Sequence, residues 1–275
     1  MSNFQFQTVS NIISVLGSII ELKNVLQNYA PKRVLLVTDQ GMMQHQLHLP
    51  ILEILESQKQ DYVIYSNVQA DPAEHLVLDA IQFAKAEKVD LILGFGGGSS
   101  LDVAKVIAIL AHPNQKQSLQ DIYGVANAKR PRLPLILVPT TAGTGSEVTP
   151  ISIITTGETT KTGIVSPVLY ADVAILDANF TQNLPAHITA ATGIDAMVHA
   201  IEAYTSKIKK NPYADMLAKQ ALRLLNKNLP LVLKDGSNLE ARQNMLVGSM
   251  LAGQAFANAP VAAVHALAYP LGGHF

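Results

Sequence analysis

The stretch that decides the fold runs Leu91-Ile92-Leu93-Gly94-Phe95-Gly96-Gly97-Gly98-Ser99-Ser100-Leu101-Asp102-Val103-Ala104-Lys105. Its apolar triplet is typical of the end of a buried strand, and the residues after Ser99 have helical periodicity. Between the two lie four glycines in five positions. Glycine lets backbone amides approach an anion closely, and a helix N-terminus offers unpaired N–H groups. The stretch therefore predicts a phosphate-binding loop between a strand and a helix. A tight turn without a ligand is the alternative.

Strand-like and helix-like segments alternate on both sides of this loop. Apolar runs predict strands at 34–39, 62–65, 91–94 and 135–138. Helical spacing predicts helices at 10–30 and 47–55, and a further helix that opens at Asp71-Pro72, with Asp71 as its cap. This alternation predicts βαβ units and a parallel sheet that binds ligands beyond the carboxyl ends of its strands. The acidic strand end Asp39 precedes the glycine loop instead of following it, so the order differs from that of a standard dinucleotide fold.

The sequence changes character near Thr181. Strand-like runs end, alanine becomes frequent, and helices are predicted at 185–206, 212–229 and 239–257. We therefore place a domain boundary near residue 181, with an α/β part over residues 1–181 and an all-α part over 182–275.

Composition narrows the class of protein. Of the 275 residues 48% are apolar and 15% charged, the net charge is −1, and there is no cysteine. Such a balance favours a well-buried globular protein without a nucleic-acid or membrane-surface partner, and it excludes disulfides and thiolate metal sites. The first residues resemble no secretion signal, so a cytoplasmic location is the expectation.

Two parts of the helical half carry candidate metal ligands. Asp195 and His199 are spaced i, i+4, which places both side chains on one face of a helix. His265 lies in a tract that has no Asp, Glu, Lys or Arg after Arg242. Oxygen and nitrogen donors together suit iron or zinc. A helix-surface hydrogen bond and an ordinary core histidine are the alternatives for these residues.

Four motifs in this order resemble the iron-containing alcohol dehydrogenase family. They are the phosphate loop at 96–105, a second cofactor loop at 139–149, a metal-binding helix at 193–202 and a third-ligand segment at 265–272. The resemblance extends from about residue 10 to the last residue. It implies that residues 1–181 are a dinucleotide-binding α/β domain and that residues 182–275 are a helical metal-binding and catalytic domain, incomplete in this chain. The active site would lie in the cleft between them.

The resemblance also implies roles for individual residues. Asp39 would hold the adenosine ribose hydroxyls, which favours NAD over NADP, and Asp195, His199 and His265 would bind Fe(II) or, as in some relatives, Zn(II). Phe256 and Tyr269 would line the pocket of a small alcohol or aldehyde, and a homodimer is expected. The remaining cofactor contacts would come from Asp71, Gly97, Gly98, Ser99, Asp102, Thr140, Thr141, Thr144, Thr149 and Lys161.

Three departures from the family pattern qualify this expectation. Asp71 stands where the family usually has Asn, and Tyr269 stands where many members have a second histidine. The family's fourth ligand would fall at position 279, beyond Phe275, and His274 has the wrong spacing for it. The sequence is therefore expected to be a shortened member. An inactive nucleotide-binding fragment, a hydroxyacid–oxoacid transhydrogenase and a glycerol dehydrogenase-like enzyme remain as alternatives.

Overall fold

The computed structural model describes residues 3–157, 160–260, 264–265 and 267. Its first part is built on a six-stranded sheet in which all paired neighbours run parallel, in the order β1-β9-β6-β4-β2-β3. A smaller three-stranded sheet, β5-β8-β7, lies beside it, and in it β7 and β8 form an antiparallel hairpin. The strands are β1 (Asn11–Ser14), β2 (Arg33–Asp39), β3 (Asp61–Val68), β4 (Leu91–Gly96), β5 (Gly124–Val125), β6 (Leu135–Pro139), β7 (Ile151–Thr156), β8 (Thr160–Val165) and β9 (Val173–Leu176).

Helices cover both faces of the large sheet, which explains its continuous apolar strands. Leu91 and Leu93 belong to one core cluster and Ile92 to the other, as the alternation of side chains along a strand requires. The helices that accompany the strands are α1 (Leu22–Tyr29), α2 (Gln40–Gln44), α3 (Leu49–Ser57), α4 (Glu74–Ala86), α5 (Gly98–Leu110) and α6 (Leu119–Ile122).

The second part consists of three long helices packed on one another, α7 (Ala186–Thr205), α8 (Pro212–Lys234) and α9 (Leu239–Asn258). The predicted fold class, a parallel α/β part followed by a helical part, is confirmed. Among the described residues, no helix is both long and apolar enough to cross a membrane.

Two predicted elements are wrong in detail. The predicted helix at 10–30 is in fact β1, then a turn at Gly17 with φ 79°, then a 3₁₀ turn and α1. Hydrogen bonding to β9 decides this, because the Ile12 and Ile13 backbone pairs with Ala174 and Ile175. The helix expected to open at Asp71 begins instead at Glu74.

Asp71 does not cap that helix. Its backbone has φ 53°, in the left-handed region, and Ala73 occupies the N-cap position of α4. The hairpin of β7 and β8 and the strands β1 and β9 are absent from the sequence-based prediction. β1 and β9 pair with each other although they lie far apart in the chain, whereas β7 and β8 are neighbours that pair with each other. Short runs with few apolar residues do not reveal either kind of pairing.

Candidate active site

The glycine loop joins the end of β4 to the start of α5. Gly96 has φ 146°, and a Cβ atom there would lie 2.7 Å from Ser100 Oγ. A Cβ atom on Gly98 would lie 2.8 Å from Thr144 Cγ2, so the two cofactor loops of the resemblance touch at this point. Gly97 is the N-cap of α5, and no side chain of the described residues caps it. The first N–H groups of α5 are therefore free to bind an anion.

Asp39 lies beside this loop, at the carboxyl end of β2. Its Oδ2 accepts a hydrogen bond from Ser100 Oγ at 3.2 Å, and its Oδ1 accepts one from Met42 N–H at 3.1 Å. The carboxylate is thus fixed at the rim of a cavity of about 370 Å³, which Gly97, Gly98 and Ser99 also line.

A second cavity, of about 250 Å³, shares Gly98 and Ser99 with the first. It extends from the glycine loop to the helical part and so joins both halves of the molecule. Most of the predicted site residues line it, namely Asp71, Gly98, Ser99, Asp102, Thr144, Thr149, Lys161, Asp195, His199, Phe256 and His265. Thr140 and Thr141 line neither cavity. Thr140 is buried, and its N–H donates to Gly96 O at 2.9 Å.

Asp195, His199 and His265 come together at the far end of the second cavity. One potential ligand atom from each lies within 4.8 Å of those of the other two. His199 Nδ1 is 3.8 Å from Asp195 Oδ2, and His265 Nε2 is 3.5 Å from Asp195 Oδ1. His199 Nδ1 is buried and has no hydrogen-bond partner among the described residues. We call these three residues the ligand cluster.

Aromatic packing orders the two histidines of the ligand cluster. The His199 ring stacks on His265 on one side, with 4.3 Å between centroids, and on Phe256 on the other, at 4.4 Å. Phe256 comes from α9, which also approaches the second cofactor loop closely. A Cβ atom on Gly253 would lie 2.9 Å from Gly145 O, so glycine is required for this contact.

Burial and charge set the protonation states in the ligand cluster. Burial lowers the pKa of His199 to about 4, against the opposing charge of Asp195. His199 is therefore neutral near pH 7, as metal binding requires. Burial works to raise the pKa of Asp195, but the hydrogen bond with His265 and the charges of both histidines outweigh it, so the net effect is a lower pKa.

Glu202 is a functional candidate to which the sequence analysis assigns no role. Its buried carboxylate lies on α7 and accepts hydrogen bonds from the Val264 N–H, at 2.7 Å, and from His265 Nδ1. The second bond leaves His265 Nε2 facing Asp195. The available signal was the spacing, because Glu202 follows His199 by three positions and Asp195 by seven, on the same helix face. Tyr269 and His274 lie outside the described residues.

Asp102, at the end of the glycine loop, uses both of its carboxylate oxygens in hydrogen bonds within the chain. Its Oδ1 accepts from Ser146 Oγ at 2.6 Å and its Oδ2 from Ile153 N–H at 2.9 Å. Lys105, which is fully buried, donates to Ser146 Oγ at 2.7 Å and to Ile151 O at 2.6 Å, with Asp102 Oδ1 at 3.3 Å. This network holds the second cofactor loop against α5.

Two family models match the chain. Residues 10–178 match the model described as iron-containing alcohol dehydrogenase, and residues 189–275 match that of the Fe-containing alcohol dehydrogenase family, C-terminal. The chain is 42% identical to long-chain-alcohol dehydrogenase 1 of Geobacillus thermodenitrificans, over 94% of this chain and 65% of that relative. It is 34% identical to the NAD-dependent methanol dehydrogenase of Bacillus methanolicus, over 94% of this chain and 67% of that enzyme.

The fold is also similar to solved structures. A crystal structure of a 1,3-propanediol oxidoreductase superimposes with a TM-score of 0.95 at 37% identity, and the match covers 100% of this chain and 71% of the other. The chain thus spans about two thirds of the length of these curated relatives.

Proposed function

Because this chain belongs to the iron-containing alcohol dehydrogenase family, we propose that it takes part in interconverting an alcohol and an aldehyde or ketone, with NAD as hydride carrier. One observation carries the proposal. The two cavities form a path from Asp39, past the start of α5, to the ligand cluster. A dinucleotide is an extended molecule, and such a path gives its adenosine end and its reactive end separate sites.

The ligand cluster fits a divalent ion. It combines one carboxylate with two imidazoles, and His199 Nδ1 is buried without a hydrogen-bond partner among the described residues. A buried polar atom left without a partner is costly, which is the situation that a bound ion relieves. Fe(II) and Zn(II) both accept this donor set. When bound, the ion supplies Lewis acidity that polarises the substrate oxygen.

The glycine loop fits the pyrophosphate of NAD. Free N–H groups at the start of α5 would bind its oxygens, while Thr144, Thr149 and Lys161 would line the path toward the ligand cluster. Asp39 would accept hydrogen bonds from ribose hydroxyls and would repel a 2′-phosphate, so NAD is preferred to NADP. In this proposal residues 1–181 bind the cofactor and residues 182–275 supply the metal ligands and Phe256.

The other residues of the site orient the two histidines and shield them from solvent. The stack of Phe256, His199 and His265 keeps the ring planes fixed and covers the imidazoles with apolar surface. Glu202 holds His265 in one orientation through its Nδ1. Fixed donors would hold a reacting oxygen and the nicotinamide in one relative orientation.

The test measures metal and cofactor binding as well as turnover. The purified protein is loaded anaerobically with Fe(II) or Zn(II), desalted and analysed by mass spectrometry, and about one ion per chain is expected. H199A should lose the ion and keep NADH binding, as measured by nicotinamide fluorescence. H187A is the matched control, because His187 lies exposed on the same helix.

Turnover is then followed with NAD or NADP and a panel of primary alcohols and diols. We expect NADH formation, with NADP clearly poorer. Absence of both metal and NADH binding in the wild-type protein would refute the proposed function, and equal turnover with the two cofactors would refute the role of Asp39.

A further inference from the structure

We propose that Asp71 and Lys161 form an ion pair across the cofactor path that weakens the binding of a pyrophosphate-containing cofactor, so that Asp71 sets the cofactor affinity. This inference rests on the proposed function, since it concerns how the same cleft holds NAD. It adds an opposing element, a carboxylate that competes with the cofactor for the lysine.

The geometry of the pair is direct. Lys161 Nζ, on β8, lies 2.6 Å from Asp71 Oδ1, which belongs to the loop before α4. The Lys161 side chain is only 9% exposed, whereas that of Asp71 is 68% exposed. Lys161 also donates to Thr155 Oγ1 at 3.2 Å. The ammonium group is therefore held inside the cavity wall, and Asp71 covers it from the solvent side.

Asp71 is fixed in this position by its backbone. Its N–H donates to Ser99 Oγ at 3.3 Å, and its carbonyl accepts from Thr155 Oγ1 at 3.1 Å. With φ 53° it adopts the left-handed conformation, which Asp and Asn tolerate better than other residues with a Cβ atom. Its carboxylate is thus anchored between the glycine loop and β8, where the pyrophosphate would lie.

The charges that line the second cavity explain why the ion pair of Asp71 and Lys161 should affect cofactor binding. The described lining residues include three carboxylates, Asp71, Asp102 and Asp195, and Lys161 is their sole lysine or arginine. A pyrophosphate group brings further negative charge. While Asp71 neutralises Lys161, the start of α5 alone attracts that charge, and binding must displace or share the ion pair.

The expected size of the effect is modest, because Asp71 is exposed to water. An exposed ion pair contributes up to about 1 kcal/mol, so D71N should tighten NADH binding roughly three- to fivefold. Asparagine keeps the shape and tolerates the left-handed backbone, so the substitution removes the charge alone. The gain should shrink in about 1 M salt, where charges are screened within about 3 Å.

The test compares NADH dissociation constants by fluorescence titration for the wild-type protein, D71N, K161M and the double variant D71N/K161M. D79N is the matched control, because Asp79 is an exposed aspartate on α4 that does not line either cavity. Thermal unfolding of each variant verifies that the fold is retained. We expect D79N to match the wild type and D71N to bind NADH more tightly.

The double variant distinguishes competition for Lys161 from a structural role of Asp71. Compared with K161M, the added D71N change should improve NADH binding less than twofold. An equal gain with and without Lys161, or no gain in D71N, would overturn the inference. If the wild-type protein and all variants fail to bind NADH, the cofactor-binding part of the proposed function fails together with this inference. That result is distinct from wild-type binding that D71N leaves unchanged, which overturns this inference alone.

Discussion

The glycine-loop region and the ligand cluster treat buried polar groups in opposite ways. The glycine-loop region comprises residues 94–105 and the loop 139–149. There the buried Lys105 ammonium finds Ser146 Oγ and Ile151 O within 2.7 Å, and Asp102 nearby. In the ligand cluster, the buried His199 Nδ1 has no hydrogen-bond partner among the described residues.

This difference implies that the first region contributes to folding stability and the second to ligand binding. A polar network that is complete within the chain stabilises the fold. Removing one member leaves the remaining buried charge without a partner, which lowers the free energy of unfolding. A buried group without a partner costs stability and gains a partner only when a ligand arrives. Substitutions in the first region should therefore change thermal stability, while those in the second should change metal affinity.

The largest effect is expected for K105M. Removing the ammonium leaves the Ile151 carbonyl without its Lys105 donor and the Asp102 carboxylate without its buried counter-charge, which should lower the free energy of unfolding by about 3–5 kcal/mol. For a chain of this size that corresponds to a fall in Tm of roughly 6–20 °C. Differential scanning calorimetry measures the shift. K85M, at an exposed lysine of α4, is the control, and an unchanged Tm in K105M would contradict the comparison.

The next largest effect is expected for Glu147, which should make the folding stability depend on pH. Burial raises its pKa to about 7, against its own backbone hydrogen bond and the charge of Lys105. Between its unfolded pKa of 4.5 and about 7 the folded state holds the proton and the unfolded state does not. Folding stability from this group is therefore fully present below pH 4.5 and is lost as pH rises through 7.

E147Q should remove this dependence. Relative to the wild type, its free energy of unfolding should rise from pH 5 to pH 8 by up to about 3 kcal/mol. Urea unfolding at both pH values measures it. E53Q, at an exposed glutamate of α3, should show no such change, and a pH-independent difference between E147Q and wild type would show that Glu147 is not held protonated.

The smallest expected effect concerns metal binding by the ligand cluster. E202Q weakens the support of His265, so the affinity for Fe(II) or Zn(II) should fall about 10- to 100-fold, as is typical for residues that orient a metal ligand. Competition with a chelator of known affinity measures it. The Tm of the metal-free protein should change little, and E240Q, at an exposed glutamate of α9, is the control. A lower Tm with unchanged metal affinity would show that Glu202 stabilises the fold and does not support metal binding.

Some of this site is visible in the sequence because it depends on neighbours in the chain. The strand at Leu91, the glycines and the helix after Ser99 form one continuous segment. The i, i+4 spacing of Asp195 and His199 needs only a helix, and both features follow from local sterics and periodicity. The helices predicted for the second half agree with α7, α8 and α9 within about five residues at each end.

Other features required contacts between distant residues. The β1 segment reads as a helix until its pairing with β9 is known, because its two isoleucines suit either state. Asp71 reads as a helix cap until its left-handed backbone and its contact with Lys161 are known. The sequence placed Glu202 on the ligand face of α7, but only packing brings His265 to its carboxylate.

The sequence by itself therefore determined the strands β2, β3, β4 and β6, the three long helices of the second part, the glycine loop and the identity of the donors, because each depends on residues close together in the chain. Only the tertiary structure decided that these elements share one cleft. Packing of α7 and α9 on each other brings Phe256 to His199, and packing of α9 on the loop at 139–149 sets Gly253 against Gly145. The chain after α9 returns to place His265 on the His199 ring. Such contacts depend on the shapes of whole helices, which no local pattern of residues records.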